Sequence, residues 1–463
     1  MYVFRKRKYA VFLILLLFPF AVVSAQSKLY SLQELIDSAT HYLPAFMEQN
    51  AVINSYKAAV IDAKHSFLPQ LKFNDQLNIG SDNSIAGAYL PIGTNLSVSA
   101  GVRGENNYQA AAGNFGVLFS QYELADFGLK SAVRNNAIAG VNVQQADLQR
   151  LLYDMKTEVS RLYFNLLKNV YQLKADSQNV RRYEDIYSVI KALAVSGIRP
   201  GSDTSLTQAE LSKAIITYNQ TAGHLNTLKQ QLAYWSGISA DQIFIDTAAL
   251  HSFNDYQHPN TIPLDTLHHP LIDFYQKQKQ FFISNEKLIS KSYLPKIFLA
   301  GSVWARGSSI QYNDQYKSLP SGWGYQRYNY MTGIAVTYDL FNGVHKRDKL
   351  AISRYQTQAI NYALQQEEMS LNNASLQADN ALQTAANNLK ELPVQLKSAA
   401  DVYDQKIAQY KAGLINLIDL TNASFVLYRS QTDYIETLSD WYLARLDKAT
   451  ATGTLDFFIQ SIK

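Results

Sequence analysis

From Leu148 onward, apolar residues fall at Leu148, Leu152, Met155, Val159, Leu162, Leu166 and Leu173. Most gaps alternate between four and three, the seam of a coiled coil. No proline or glycine interrupts from Val141 to Ser196, so the spacing predicts one helix over 128–194. About 67 residues at ~1.5 Å each reach ~100 Å. A returning stripe of Leu211, Ile215, Tyr218, Ala222, Leu225, Leu228, Leu232 and Trp235 predicts an antiparallel partner over 203–236, joined at Gly197–Asp203. That partner covers half of the long helix, and a helix predicted over 31–65 covers the rest. The plan recurs as 264–293 plus 419–452 against 346–411. There Pro393 is expected to kink the long helix where the two short ones abut.

Four alternating stretches lie between the helices. Pro69–Gly80 places Leu71, Phe73, Leu77 and Ile79 on one face and Lys72, Asn74, Gln76 and Asn78 on the other. Asp75 breaks the apolar side. Asn114–Leu124 carries Phe115, Val117 and Phe119 on one face, and Pro295–Arg306 carries Ile297, Leu299, Val303 and Ala305. Asn329–Phe341 carries Tyr330, Thr332, Ile334, Val336, Tyr338 and Leu340. Such lengths suit tilted membrane-spanning strands of about 9–11 residues. Tyr122, Trp304, Tyr328, Tyr330 and Tyr338 near the ends suit an aromatic girdle. A soluble two-sided sheet is the other reading of the same alternation. The Gly/Ser/Asn/Tyr-rich loops 81–113 and 307–328 are long for a compact domain and ordinary on the outer rim of a barrel. Four strands leave open edges that lipid does not tolerate. On the barrel reading, copies must pool their strands; three copies give twelve strands over twelve helical columns.

The pattern is duplicated. Phe67-Leu68-Pro69-Gln70-Leu71 recurs as Tyr293-Leu294-Pro295-Lys296-Ile297. Tyr122, Gly197 and Asp203 recur as Tyr338, Gly413 and Asp419 at one shared offset of 216. The expected organisation is a leader over 1–25, a first repeat over 26–255 and a second over 256–463 with a short C-terminal tail.

Composition changes the picture chiefly at the N-terminus. The chain has 463 residues, Lys+Arg 42 against Asp+Glu 38, and no cysteine. Disulfides and cysteine nucleophiles are therefore excluded. Arg5, Lys6, Arg7 and Lys8 precede an apolar run from Tyr9 to Val23 that ends in Val23-Ser24-Ala25, a signal-peptide layout with cleavage expected after Ala25. An uncleaved inner-membrane anchor is the other reading. Without 1–25 the charge is 38 against 38. That neutrality argues against nucleic acid as a partner. With no cysteine after the cut, a lipoprotein anchor is not expected.

These features together resemble the TolC-type outer-membrane export ducts, over Ser31 to Thr454. The matching residues are the Phe-Leu-Pro and Tyr-Leu-Pro leads at 67–69 and 293–295, with Pro69 and Pro295 opening strands. The exits Leu124-Ala125-Asp126-Phe127-Gly128 and Leu340-Phe341-Asn342-Gly343 match too, as do the tips around Gly197 and Gly413. The resemblance implies a mainly α fold with a transmembrane β-barrel: four strands per protomer, a homotrimeric twelve-stranded barrel, and an α-helical tunnel of long antiparallel coiled coils. It implies an outer-membrane location in a Gram-negative-type envelope, in contact with outer-membrane lipid. It also implies a periplasmic adaptor and an inner-membrane pump of RND or ABC type as partners. Gly197, Ile198, Gly413 and Leu414 match the adaptor-docking tips. Asp203 and Asp419 match the constriction, where Asp203 could equally cap the following helix. Where the family often has a second aspartate, this chain has Asn422. Where some members have an arginine after the second tip glycine, it has Ile415, so Arg199 is the expected substitute in the resting lock.

No catalytic constellation stands out. Ser284-Asn285-Glu286-Lys287 fits S-x-x-K without a supporting motif. His268 and His269 lack metal-ligand spacing and read as linker residues. No cofactor, metal or enzymatic role is expected. The competing function is a periplasmic coiled-coil scaffold or adaptor without a barrel.

Overall fold

The computed structural model describes residues 28–81, 83, 104–245, 269–312 and 314–462. The leader 1–25, most of the first loop, His268 and the 255/256 repeat boundary lie outside them. The elements are β1 (Leu29–Tyr30), α1 (Leu32–Tyr42), α2 (Pro44–His65), β2 (Gln70–Gly80), β3 (Ala111–Ala125), α3 (Leu129–Val195) and α4 (Gly201–Ser236). They continue as β4 (Phe244–Ile245), α5 (Pro270–Ser292), β5 (Lys296–Ser308), β6 (Arg327–Thr337), α6 (Asn342–Lys411), α7 (Leu417–Thr452) and α8 (Leu455–Ser461).

The long helices are α3, of 67 residues, and α6, of 70. The seam buries Met155, Val159, Leu162 and Leu166, as its spacing requires. On α4 the buried stripe is Leu211, Ala214, Leu228 and Leu232, while Ile215 of the expected stripe faces out. Short helices lie end to end along each long one. Gln49 of α2 bonds to Gln144 on the upper half of α3, and Thr221 of α4 bonds to Asp176 on the lower half. Likewise α5 reaches α6 through Lys279–Asn361 at 2.8 Å, and α7 reaches it through Lys448–Asp379 at 2.7 Å.

Two expectations change here, and a third gains detail. The helix over 31–65 is two helices, because Pro44 drives Leu43 into an extended conformation (φ −69°, ψ 121°). Pro393 lies inside α6, but the α5/α7 junction falls between Asn361 and Ser375. Pro393 sits nearer the tip, where Gln395 meets Ser430 of α7 at 3.3 Å. The C-terminal tail forms α8. With α1 and the short parallel β1–β4 pair it packs around mid-height of the columns. There Phe164 stacks on Tyr442 at 5.1 Å and meets Phe458 at 5.9 Å. Lys156–Asp456 and Arg161–Asp447, both 2.6 Å, join α3 to α8 and α7.

The four long strands form one antiparallel sheet in the order β2-β3-β5-β6. Its edges, β2 and β6, have no partner strand among the described residues. Cross-strand partners share a face. Leu71, Phe73, Leu77 and Ile79 therefore line up with Ser120, Leu118, Asn114 and Ala112, and onward with Ile297, Leu299, Val303, Tyr330, Ile334 and Val336. This face is apolar and open: Phe73 is 72% exposed, Ile334 70% and Val336 67%. Phe115, Val117 and Phe119 pair with Gln76, Asn74 and Lys72. The apolar side of β3 thus lies on the opposite face, beside Trp304 and Phe298 of β5.

The break at Asp75 has a local answer. The loop after β5 makes a short turn at Leu319–Gly322 and lays Tyr325 over β3. The Tyr325 hydroxyl lies beside Asp75 and takes the space that a side chain at Gly116 would need, while Asn114 donates to the Trp323 carbonyl at 2.8 Å.

Candidate functional site: the helical tips

The two hairpin tips lie at the ends of the columns farthest from the sheet. At the first, α3 ends and Gly197 takes a left-handed conformation (φ +70°). The Ile198 and Arg199 N–H groups turn back to the Leu193 carbonyl at 3.0 and 3.3 Å. Glycine closes such a reversal without a Cβ penalty. At the second, Gly413 (φ +76°) lets Leu414 N–H reach the Gln409 carbonyl at 2.9 Å.

The helix starts differ from expectation. Pro200 is the N-cap of α4. Asp203 lies in the first turn, where its amide donates to the Pro200 carbonyl at 3.1 Å and its carboxylate suits the helix dipole without capping. In α7 the cap is Asn416, whose side chain accepts from Asp419 N–H at 2.9 Å. Asn416 went unnoticed in the sequence, although Asn just before an apolar periodic run is a helix-start signal.

Arg199 joins the hairpins. Its Nη2 donates to the Ile415 carbonyl at 3.3 Å, and its guanidinium lies 5.0 Å from the Tyr410 ring centre. Tyr410 is 2% exposed, and burial pushes its phenol up. Arg199 acts against that shift and Asp203 adds to it, which places both charges beside the ring. Beneath them Tyr183, Ile186, Ile190, Leu211, Leu417 and Leu420 form one cluster across both hairpins.

The paired aspartates part company. Asp203 is half-buried against the other hairpin. Asp419 and Asn422 are exposed on an open groove of about 510 Å³ between α6 and α7, shared with Val402 and Lys406. Ile198 and Leu414 project from the two tips, 66% and 75% exposed. Pro69 and Pro295 stand immediately before β2 and β5.

Residues 291–454 match the family model for outer membrane efflux proteins. The fold of the chain is that of the TolC-type channels. Similar structures include the outer membrane protein VceC of Vibrio cholerae, at TM-score 0.71 and 13% identity, covering 91% of this chain and 96% of that one. The CmeC outer membrane channel of Campylobacter jejuni gives 0.70 and 13%, covering 92% and 86%. The MtrE outer membrane channel of Neisseria gonorrhoeae, in its open state, gives 0.67 and 17%, covering 92% and 89%. No curated protein matches the chain.

Within this fold, one buried site has no counterpart in the sequence reading. Asp176 of α3 is 1% exposed. It accepts from Thr221 of α4 at 2.6 Å, Tyr428 of α7 at 2.7 Å and Gln172 at 2.8 Å. One carboxylate thus ties both hairpins together above the tips. Burial, and then Asp176 itself, push the Tyr428 phenol up to about 12. The signal was present: continuing the four-three spacing from Leu166 through position 169 and Leu173 lands on Asp176, an acid in an apolar seam.

The remaining candidates are structural. Around Ser284, Asn285 bonds to Ser353 at 3.2 Å and Glu286 accepts from Thr357 at 2.6 Å, so the S-x-x-K stretch is the α5/α6 contact. His269 is no linker residue. It is fully buried, its Nδ1 caps α5 by accepting from Leu271 N–H at 3.2 Å, and its Nε2 donates to the Thr450 carbonyl at 2.9 Å. Burial holds its imidazole below the usual range. Among the described residues no group of acids and histidines is arranged to hold a metal, and no helix is long and apolar enough to cross a membrane.

Proposed function

We propose that the chain is the outer-membrane exit duct of a tripartite efflux or type I secretion system. It works as a homotrimer, docked through a periplasmic adaptor onto an RND or ABC pump that supplies the energy. The carrying observation is the sheet: four antiparallel strands with an exposed apolar face and two open edges, set on columns of ~100 Å. Open edges are not tolerated in lipid, and three such sheets supply twelve strands to one closed barrel. The Leu71–Val336 face then meets lipid, and the face with Gln76, Asn74, Phe115, Phe119 and Trp304 lines the lumen.

The tips serve as adaptor-docking ends, with Gly197 and Gly413 shaping them and Ile198 and Leu414 offering apolar contacts. The resting gate combines the Arg199 latch and its neighbour Asp203 with a ring of Asp419 carboxylates beside Asn422. A ring of one acid per protomer favours cations. The duct needs no cofactor and performs no catalysis, and a cleaved leader would deliver it as a non-lipidated protein.

The test is single-channel conductance of the purified mature protein in planar bilayers, beside Asp419→Ala. Small cation-selective steps that enlarge or lose selectivity in the variant support the gated duct. Steps unchanged by the substitution move the gate away from Asp419. Folded protein that gives no steps, and is recovered as a soluble monomer, returns the reading to a periplasmic scaffold.

A further inference from the structure

At the foot of the sheet, α2 passes into β2 and β3 passes into α3. Between the two junctions lies an open cleft of about 700 Å³. Its walls are Lys64 from the last turn of α2, Phe67 and Leu68 from the connection, Tyr122 of β3, and Lys130 and Arg134 at the start of α3. Three cations meet here, and none of them is ion-paired among the described residues. The Lys130 ammonium instead lies 5.5 Å from the Phe67 ring centre and 5.2 Å from that of Tyr122. Asp126, the acid of this junction, is already engaged. It accepts from the backbone N–H of Gly128 at 3.3 Å and Lys130 at 2.9 Å, which hold its carboxyl below the usual range and fill the α3 terminus.

The cleft is amphipathic along the sheet. Leu68 is 61% exposed at its lip, and Leu71 and Phe73, 68% and 72% exposed, continue upward on the face that carries Tyr122. A cationic pocket with an apolar track leading from it fits a phosphate head with acyl tails better than it fits a bare anion. Basic pockets at a membrane interface hold anionic headgroups in this way. The second repeat supplies an internal contrast. It keeps Tyr293, Tyr338 and Lys346 at the matching junction but has Ser290 and Leu350 where Lys64 and Arg134 stand.

We propose that this cleft binds the phosphate headgroup of an anionic phospholipid, one per protomer, in the inner leaflet of the membrane that holds the barrel. The proposal rests on the outer-membrane reading above. The lipid would anchor the β2/β3 foot to the start of α3 and fix the depth of the sheet in the bilayer.

Native mass spectrometry of the full chain in detergent tests it, with phosphatidylglycerol, phosphatidylcholine and inorganic phosphate as the three probes. One phosphatidylglycerol should be retained per protomer, in clear preference to phosphatidylcholine. Each cation removed should weaken retention about fivefold, so Arg134→Gln loses about fivefold and Lys130→Gln with Arg134→Gln about 25-fold. Arg134 is exposed, so its variant should melt like wild type in lipid-free detergent. Equal retention of the two lipids, or variants that retain phosphatidylglycerol like wild type, would overturn the site. Inorganic phosphate competing as well as the lipid would overturn the lipid assignment in favour of a free anion. The same preparations are then added to liposomes. Wild type that inserts as a heat-resistant oligomer while the lipid preference fails sinks only this site. Wild type that never inserts sinks the outer-membrane reading and this proposal with it.

Discussion

Replacing Arg199 by alanine isolates the contact that joins the two hairpins of one protomer. The side chain makes one charge-assisted hydrogen bond, to the Ile415 carbonyl at 3.3 Å, and one ring contact, to Tyr410 at 5.0 Å. Arg199 is only half-buried, so solvent discounts both. The bond is then worth about 1 kcal/mol and the ring contact about 0.5–1 kcal/mol. A loss of about 1.5–2 kcal/mol per protomer is at least a tenfold shift toward an open tip. Three protomers opening together multiply to about a thousandfold or more. Lysine keeps the charge and part of the ring contact but loses the planar fork, so Arg199→Lys should fall between the two. The assay is open probability in planar bilayers, read beside the melting temperature. A latch predicts frequent large openings with unchanged melting. Arg199→Ala channels that stay as closed as wild type would refute the latch. Equal opening in both variants would show that the fork carries the whole latch, and Arg199→Lys channels as closed as wild type would show that the fork contributes nothing.

Further outcomes follow from other contacts. Asp176→Ala leaves the donors of Thr221, Tyr428 and Gln172 facing a vacated site and should cost about 3 kcal/mol; a double-mutant cycle with Tyr428→Phe that shows no coupling would separate the two hairpins. His269 should make stability fall as pH drops below about 6.5, because the unfolded imidazole takes up a proton there while the buried ring resists it. Asp154 and Glu367 beside it limit the effect, and His269→Asn, which keeps a capping side chain, should flatten the slope of melting temperature against pH. Val336→Arg puts a charge on the open apolar face and should cost about 2–4 kcal/mol per protomer near a bilayer midplane; heat-resistant oligomers formed as well as in wild type would argue against lipid contact there.

Periodicity carried the architecture because the helices are long and each seam residue repeats one message. Met155 through Leu166 show the 3.5-residue spacing so plainly that the α3 boundaries follow within a residue or two. Local events that override a period were harder to see. Pro44 falls within the stretch 31–65, yet it stands at the first position of a new helix, since proline suits a helix start and forces the residue before it extended. Asp203 reads as a cap because it follows a turn, but the turn contains Pro200, which takes the cap position three residues earlier. α8 is a single short stretch, too brief to show a period. His269 reads as a linker residue in sequence because its burial depends on Thr450, distant along the chain and adjacent in space.

The sheet shows where the sequence signal ends. Alternation states that a strand has two unlike faces, but not which face of one strand meets which face of the next. That is set by register, and a one-residue slip exchanges the faces. Taken singly, Phe115, Val117 and Phe119 read as the apolar side of β3, and so as the partner of Leu71 and Phe73. The register places Phe115 beside Gln76 and Phe119 beside Lys72 instead. An edge strand such as β6 has one neighbour and needs a clean apolar face. β3, in the interior of the sheet, can carry aromatics on the polar side, because Trp304 and Phe298 of β5 stand there with it. On the face it shares with Leu71 and Phe73, β3 has Gly116, and that gap admits Tyr325 to meet Asp75. The acid that breaks the apolar side of β2 and the glycine opposite it in β3 are thus one contact, split between strands and closed by a loop.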